Sequence, residues 1–274
     1  MRRLRDQGGI TLMELLVSMV ILTVISTMLL VSWFALSNSY SFSVNSNKAR
    51  DLARQGLSRM EREVRDAESY TPGLPPANLA PWPAFSNKTV QNEPALIYAR
   101  PYTIVLMTTF NESGNASPSK KSHLVMYRVY YDAASNTAEL WRFEDVPDAA
   151  GNYQGRINGV ALSAGAEPMV NGRPNYDANE KTSGEGAQLM LSHVVNTDSS
   201  FATPVPVFEY GAYYTAGSGT MEWRDDLGGA ATASTNRGSV IAVQIHLLVD
   251  LNPRHSPVYI DLVTTAQLRN QRRY

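Results

Sequence analysis

One carboxylate stands where a carboxylate is costly. Residues 15–36, LLVSMVILTVISTMLLVSWFAL, carry no charge, proline or glycine, and Glu14 sits directly at their start. An ionised side chain in lipid costs roughly 2.5–3.5 kcal/mol on insertion scales. Glu14 therefore has a partner, or it reaches the headgroup boundary and snorkels to water. Other residues that could do chemistry are dispersed. The four histidines, His123, His193, His246 and His255, form no HxxxH or HxH pair, and each falls in a different expected element. No spacing for a metal centre follows from them. Asp225 and Asp226 precede Gly228 and Gly229 without the alternating ligands of a calcium loop. There is no nucleophile elbow, phosphate loop or dinucleotide fingerprint. No catalytic residue, metal or cofactor is expected, and the chain reads as a non-enzyme.

Composition narrows the field further. The 274 residues carry a formal net charge of −1, so no global field draws nucleic acid or acidic substrates. With no cysteine, disulfides, thiolate metal sites and a cysteine nucleophile are excluded. The C-terminal LRNQRRY holds Arg269, Arg272 and Arg273, which could touch DNA phosphates; a solvated basic end is the commoner case. Tyr213, Tyr214 and Trp223 could form a binding platform, although aromatics packed on a sheet are more usual. Asn87, Asn111 and Asn115 match the glycosylation sequon, a match short enough to arise by chance.

The N-terminus must position Glu14. As a helix, residues 15–36 span about 33 Å at 1.5 Å per residue, enough for a hydrocarbon core of about 30 Å. Arg2, Arg3 and Arg5, opposed only by Asp6, precede them and keep the N-terminus cytoplasmic by the positive-inside rule. Trp33, Phe34, Tyr40 and Phe42 lie where an interfacial aromatic belt belongs. A secretory signal peptide has a shorter apolar core and a small-residue cleavage site after it. A plain signal anchor fits the length but gives Glu14 no purpose.

The stretch GGITLMELLVSMVIL resembles the class III signal of type IV prepilins and type II secretion pseudopilins. That pattern is a short basic leader, a glycine, a hydrophobic first residue and a glutamate five residues into the mature chain. The resemblance implies that a prepilin peptidase cuts after Gly9, that Ile10 becomes an N-methylated N-terminus, and that Glu14 is the fifth mature residue. Cleavage would place a cationic amine on Ile10. Glu14 of one subunit and that amine of a neighbour could then neutralise each other, and their offset would set subunit stagger. The implied partners are other pilins or pseudopilins, the peptidase and N-methyltransferase, and membrane lipid. The implied place is the cytoplasmic membrane, with an exported head that reaches the periplasm or cell surface on assembly. Many major pilins have a proline past the middle of this segment. Here the matching region has Val31, and no proline occurs before Pro72, so no proline kink is expected.

Four parts are expected: a leader at 1–9, a membrane or fibre-core helix at 10–36, an amphipathic continuation at 37–69, and an exported β-rich head at 70–274. Residues 37–47, SNSYSFSVNSN, are either a soft point or helix held by its neighbours. In residues 48–68, Ala53, Leu57, Met60, Val64 and Ala67 recur at steps of 4, 3, 4 and 3, an apolar stripe for a head to pack against. Gly56 is its weak spot, and the prolines at 72, 75, 76, 81 and 83 forbid continuation.

In the head, residues 240–251 alternate, with Ile241, Val243, Ile245, Leu247, Val249 and Leu251 inward and Gln244, His246 and Asp250 outward. Val258, Ile260 and Leu262 continue a second strand, so the two form a hairpin. Residues 123–131 and 138–143 form another. A strand at 95–107 breaks near Pro101, one more lies around 206–214 with a turn at 217–219, and 187–195 reads equally as short helix or strand. Residues 145–185 and 224–238 read as loops. The plan is α+β, a long N-terminal helix on an antiparallel sheet. Its order resembles J-type minor pseudopilins and PilW-like minor pilins, on "HVVNTDSSFATPVPVFEYGAYY" leading into "MEW", the strand "SVIAVQIHLLVDL" and the closing "LRN". The reading is thus a minor pilin or pseudopilin. An uncut, membrane-anchored enzyme or binding protein and a DNA-uptake pilin are the alternatives.

Overall fold

A computed structural model describes residues 11–67, 95–108, 123–133, 137–147, 149, 157–162, 167–197, 204–214, 219–227, 238–250 and 259–268. The processing pair Gly9 and Ile10, the basic leader, His255, the three sequons and the C-terminal arginines lie outside those residues. The chain divides into two compact units, Met1–Lys48 and Ala49–Tyr274.

The first helix, α1 (Leu12–Arg65), runs without a break through both the apolar run and the Ser/Asn-rich stretch 37–47. With no proline and Gly56 as its lone glycine, nothing in its backbone chemistry stops it. Arg62 and Arg65 in its last turn suit the negative end of the helix dipole. Over Leu12–Arg65 an 18-residue window reaches a mean hydropathy of 2.5, and none of that window is buried within the protein.

In the second unit, the final turns of α1 pack on an antiparallel sheet. Its strands are β1 (Leu96–Ala99), β2 (Thr103–Thr108), β3 (His123–Asp132), β4 (Thr137–Glu144), β7 (Gln188–Val194), β8 (Phe208–Ala212), β9 (Glu222–Arg224), β10 (Val240–Asp250) and β11 (Tyr259–Gln267). Between β4 and β7 come a two-residue hairpin, β5 (Met169–Val170) with β6 (Arg173–Pro174), and a short helix α2 (Glu180–Ser183). Among the described residues the order is β1-β2-β3-β4-β7-β10-β8-β9, with β11 also paired to β10. β3 and β4 form the expected hairpin, and β10 pairs β11 antiparallel from Ala242↔Gln267 to Asp250↔Tyr259.

The sheet buries two faces. On one, Ala53, Leu57, Met60, Val64 and Ala67 of the helical stripe meet Ile104, Leu106, Val125, Val129, Leu140, Val243, Ile245 and Leu247. On the other, Val105, Met107, Leu124, Met126 and Phe143 meet Ile157, Val160 and Leu162. Strand β2 is therefore buried at every position, and β3 at its first eight. Double burial explains why HLVMYRVYY reads as a nearly continuous apolar run.

Four local features depart from the sequence expectation or resolve it. Residues 188–194 are strand. The segment expected as loop through 185 instead supplies β5, β6 and α2, which help to cover the second face. Ile241 is only partly buried, because a register shift between Val240 and Ala242 turns Val240 inward instead. Asp250, expected outside, is buried. The junction at β10 is closed by a side chain. Asn196 donates from Nδ2 to the His246 carbonyl at 2.9 Å and accepts from the Leu248 amide at 2.8 Å, standing in for a peptide unit between β7 and β8.

Candidate functional site

The start of α1 is built by a reciprocal cap. Thr11 Oγ1 accepts from the Glu14 amide at 3.3 Å, while the Glu14 carboxylate accepts from the Thr11 amide at 3.0 Å and its hydroxyl at 3.1 Å. The Leu15 amide reaches the Thr11 carbonyl at 3.2 Å, the first helical turn. This is a capping box: a Thr N-cap with Glu three residues on, each satisfying donors the helix leaves open. The T-x-x-E spacing of Thr11 and Glu14 ahead of an apolar run carries the signal in the sequence, and reading Glu14 as a charge for a neighbouring subunit's amine or for the headgroup boundary missed it. Glu14 is thus engaged within its own chain.

Three hydroxyls downstream bond back to the helix. Ser18 donates to the Glu14 carbonyl at 2.7 Å, Thr23 to Met19 at 2.7 Å, and Thr27 to Thr23 at 2.8 Å. Each hides its donor on the preceding turn, so the hydroxylic residues do not disqualify the run from a lipid setting. Leu16, Leu22, Leu29 and Phe34 are all more than half exposed. An apolar helix with no cover from its own chain needs lipid or other helices around it.

A second constellation fastens the helix to the head. Glu63 lies on the packed face of α1 with no exposed side-chain surface. It accepts from Tyr127 Oη at 2.6 Å and from Arg142 at 2.9 and 3.0 Å, with Arg59 Nε at 3.4 Å. Arg142 also bonds Glu144, which faces His123 at 3.2 Å. Burial pulls the Arg142 guanidinium down, but Glu63, Tyr127 and Glu144 together outweigh it and the net direction is up. Burial, then Glu63, raises Tyr127. Burial pushes Glu144 up, but His123 and Arg142 outweigh it and bring it down to about 2. A buried carboxylate survives only with such compensation.

The second sheet face has its own polar cluster. Arg128, fully buried, donates to Glu180 at 2.6 Å and to the Ala161 carbonyl at 3.0 Å, with its guanidinium over the Tyr176 ring. Tyr130 also donates to Glu180. Tyr176 bonds Glu167, whose carboxyl is raised by burial in spite of that bond. These ties hold residues 157–162 and 167–185 on the sheet. Sequence reasoning assigned no role to Glu63 or Arg128. Glu63 falls beside Val64 in the apolar stripe, and that position was the available clue.

The remaining candidates do not converge. His123 lies on β3, His193 is exposed on β7, and His246 on β10 faces Asp261 at 2.9 Å. Among the described residues no three His, Asp or Glu side chains gather as metal ligands. Asp226 is held by Arg100 at 2.6 and 2.7 Å, so it has a structural partner. The aromatic trio does not form one surface: Tyr213 is exposed just past the end of β8. Tyr214 packs toward the core with Arg224 over its ring at 4.1 Å, and Trp223 lies over Gly211, where an added Cβ would meet its ring at 3.0 Å.

A family model described as the prokaryotic N-terminal methylation motif matches residues 4–30, which cover the end of the leader, Gly9, Ile10, Glu14 and most of the apolar run. Residues 31–274 lie outside that match. No curated protein matches the chain.

Proposed function

We propose that this chain is a minor pilin or pseudopilin, an assembly subunit of a type IV pilus or type II secretion pseudopilus. The observation that carries the reading is the methylation motif at 4–30 falling on a helix whose apolar window has no burial within its own chain. A prepilin peptidase cuts after Gly9, and Ile10 is methylated as the new N-terminus. The chain then sits in the cytoplasmic membrane with its head exported, and leaves lipid by joining helices of neighbouring subunits. An unbroken, proline-free α1 and a large sheet head support the J-type or PilW-like assignment.

Glu14 acts twice in this scheme. In the lone subunit the capping box engages its carboxylate, which offsets part of its cost in the membrane. In the fibre the Ile10 amine of a neighbour competes for it, and a cation is the stronger partner. N-terminal mass spectrometry of the protein extracted from membranes tests the reading. The expected species begins at Ile10 and carries one added methyl group; a chain that retains the leader refutes it.

A further inference from the structure

The β5–β6 hairpin is closed at its base by a side-chain contact. Glu167, 7% exposed, precedes β5, and Tyr176 follows β6. Tyr176 donates from its hydroxyl to Glu167 Oε1. Just above that contact the Asn175 amide bonds the Pro168 carbonyl at 2.8 Å. The Tyr176 hydroxyl also reaches Thr103 Oγ1 of β2 at 2.7 Å, and its ring lies under the Arg128 guanidinium of β3, 4.1 Å from the ring centre. The one contact therefore closes the hairpin and seats it on the sheet. The first strand of the hairpin is open to solvent, with Met169 and Val170 both exposed.

The charges around this contact do not balance. Among the described residues the cation facing it is Arg128, which is already bound by Glu180 at 2.6 Å, so one guanidinium serves two carboxylates. Arg100, over the Tyr98 ring, is held by Asp226. The other groups facing Glu167 are hydroxyls: Tyr98 of β1, Tyr102 and Thr103 at β2, Tyr210 of β8 and Tyr176 itself. Burial, then the Glu167 charge, raises each of these tyrosines above 10, so they stay neutral. Glu167 is the member of the set that changes charge at lower pH. Burial raises its carboxyl above the ordinary value, against the bonds from Tyr176 and Thr103 and the pull of Arg128. An ionised carboxylate buried without a cation of its own is costly.

We propose that the Glu167–Tyr176 contact is a proton-operated latch: the neutral carboxyl holds the β5–β6 hairpin against β2 and β3, and the ionised carboxyl releases it. The sign follows from linkage. In the open hairpin Glu167 meets water and has its ordinary value of 4.5, and in the closed one that value is raised. The hold is therefore full below about 4.5 and weakens as pH rises through the folded value. Glu144 acts with the opposite sign. The release is local, because the ties of Arg128 and Tyr130 to Glu180 do not pass through Glu167. The inference does not depend on processing at Gly9, and it fails or stands separately from it.

The test is hydrogen exchange of the full chain in neutral detergent, read by mass spectrometry and corrected for the intrinsic pH dependence of amide exchange. Protection of residues 169–175 should fall as pH rises above about 4.5, by up to roughly tenfold per pH unit, and level off above the folded value. The β3–β4 hairpin in the same sample should keep its protection. Glu167→Gln accepts the same bond from Tyr176 and has no charge to gain, so it should hold 169–175 at the acid-side protection at every pH. Tyr176→Phe removes the bond itself and should lower that protection even at the acid end; thermal unfolding checks that both variants are folded. Protection of 169–175 that is flat with pH in the unaltered chain overturns the proposal, with no variant needed. An equal slope in Glu167→Gln, unchanged protection in Tyr176→Phe, or a parallel loss across β3–β4 also overturns it.

Discussion

Glu14 has two uses for one side chain, and they can be separated chemically. A glutamine serves a capping box nearly as well as a glutamate, since its amide oxygen accepts from the same N–H groups. It cannot neutralise an amine. Glu14→Gln should therefore leave helix content and leader processing near normal while reducing incorporation into sheared fibres as much as Glu14→Val does. Normal incorporation of Glu14→Gln would assign the residue to the cap alone. At Glu63 the argument is electrostatic. Glu63→Leu takes from Arg142 a buried counter-charge and should cost about 3–5 kcal/mol in urea unfolding of the head. Adding Arg142→Leu should cost less than the sum of the two single changes, because both remove the same pair. Glu144 adds a pH dependence. Its folded value, brought down to about 2, lies below its ordinary 4.5. The stabilisation is thus full above about 4.5 and is lost as pH falls through 2. Glu144→Gln should flatten that acid limb in a series of unfolding midpoints against pH; an unchanged limb would mean that other groups carry it.

At the scale of elements, two backbone positions lead to opposite substitutions. Gly56 is helical and has room, so Gly56→Ala should raise stability by about 1 kcal/mol through helix propensity. His193 sits on β7 with φ +59°, a conformation that side-chain-bearing residues reach at a cost of roughly 1–2 kcal/mol. His193→Gly should recover part of that cost, and a rise in denaturation midpoint for each variant is the check. These positions also show where the sequence was legible. The stripe from Ala53 to Ala67 repeats at helical period, and all five residues are buried, because a single packed face imposes a single periodicity. The β10–β11 hairpin was readable from alternation, and β3–β4 from two apolar runs flanking turn residues. The layer at 157–162 and 167–185 was not. It is held by side-chain ties such as Arg128 to Glu180 and Tyr176 to Glu167, which are distant in sequence and leave no periodic trace. Ile241 was misplaced for a related reason: a bulge shifts the register, and alternation alone does not mark bulges.

For the whole molecule, the two units differ in what they need from their surroundings. The head buries 53–67 of α1 against its own sheet and satisfies Glu63 within that contact. Residues 12–36 bury nothing of their own. Their apolar surface must be covered by lipid or by other helices, whichever assembly they join. The capping box shows why only part of the N-terminal site could be read from sequence. The Glu14 spacing was visible, but its bonding to Thr11 depends on where the helix starts, and one-residue boundaries are what periodicity defines least well. This separation leads to a further prediction. A chain beginning at Ser37 keeps the full apolar stripe and the Glu63 network while losing the exposed run. It should be soluble without detergent and should unfold at the same urea midpoint as the full chain does in detergent. If the shortened chain aggregates or unfolds much earlier, residues 12–36 contribute to head stability. The membrane or fibre contacts of the N-terminus would then be coupled to the fold, and the two units would not be independent.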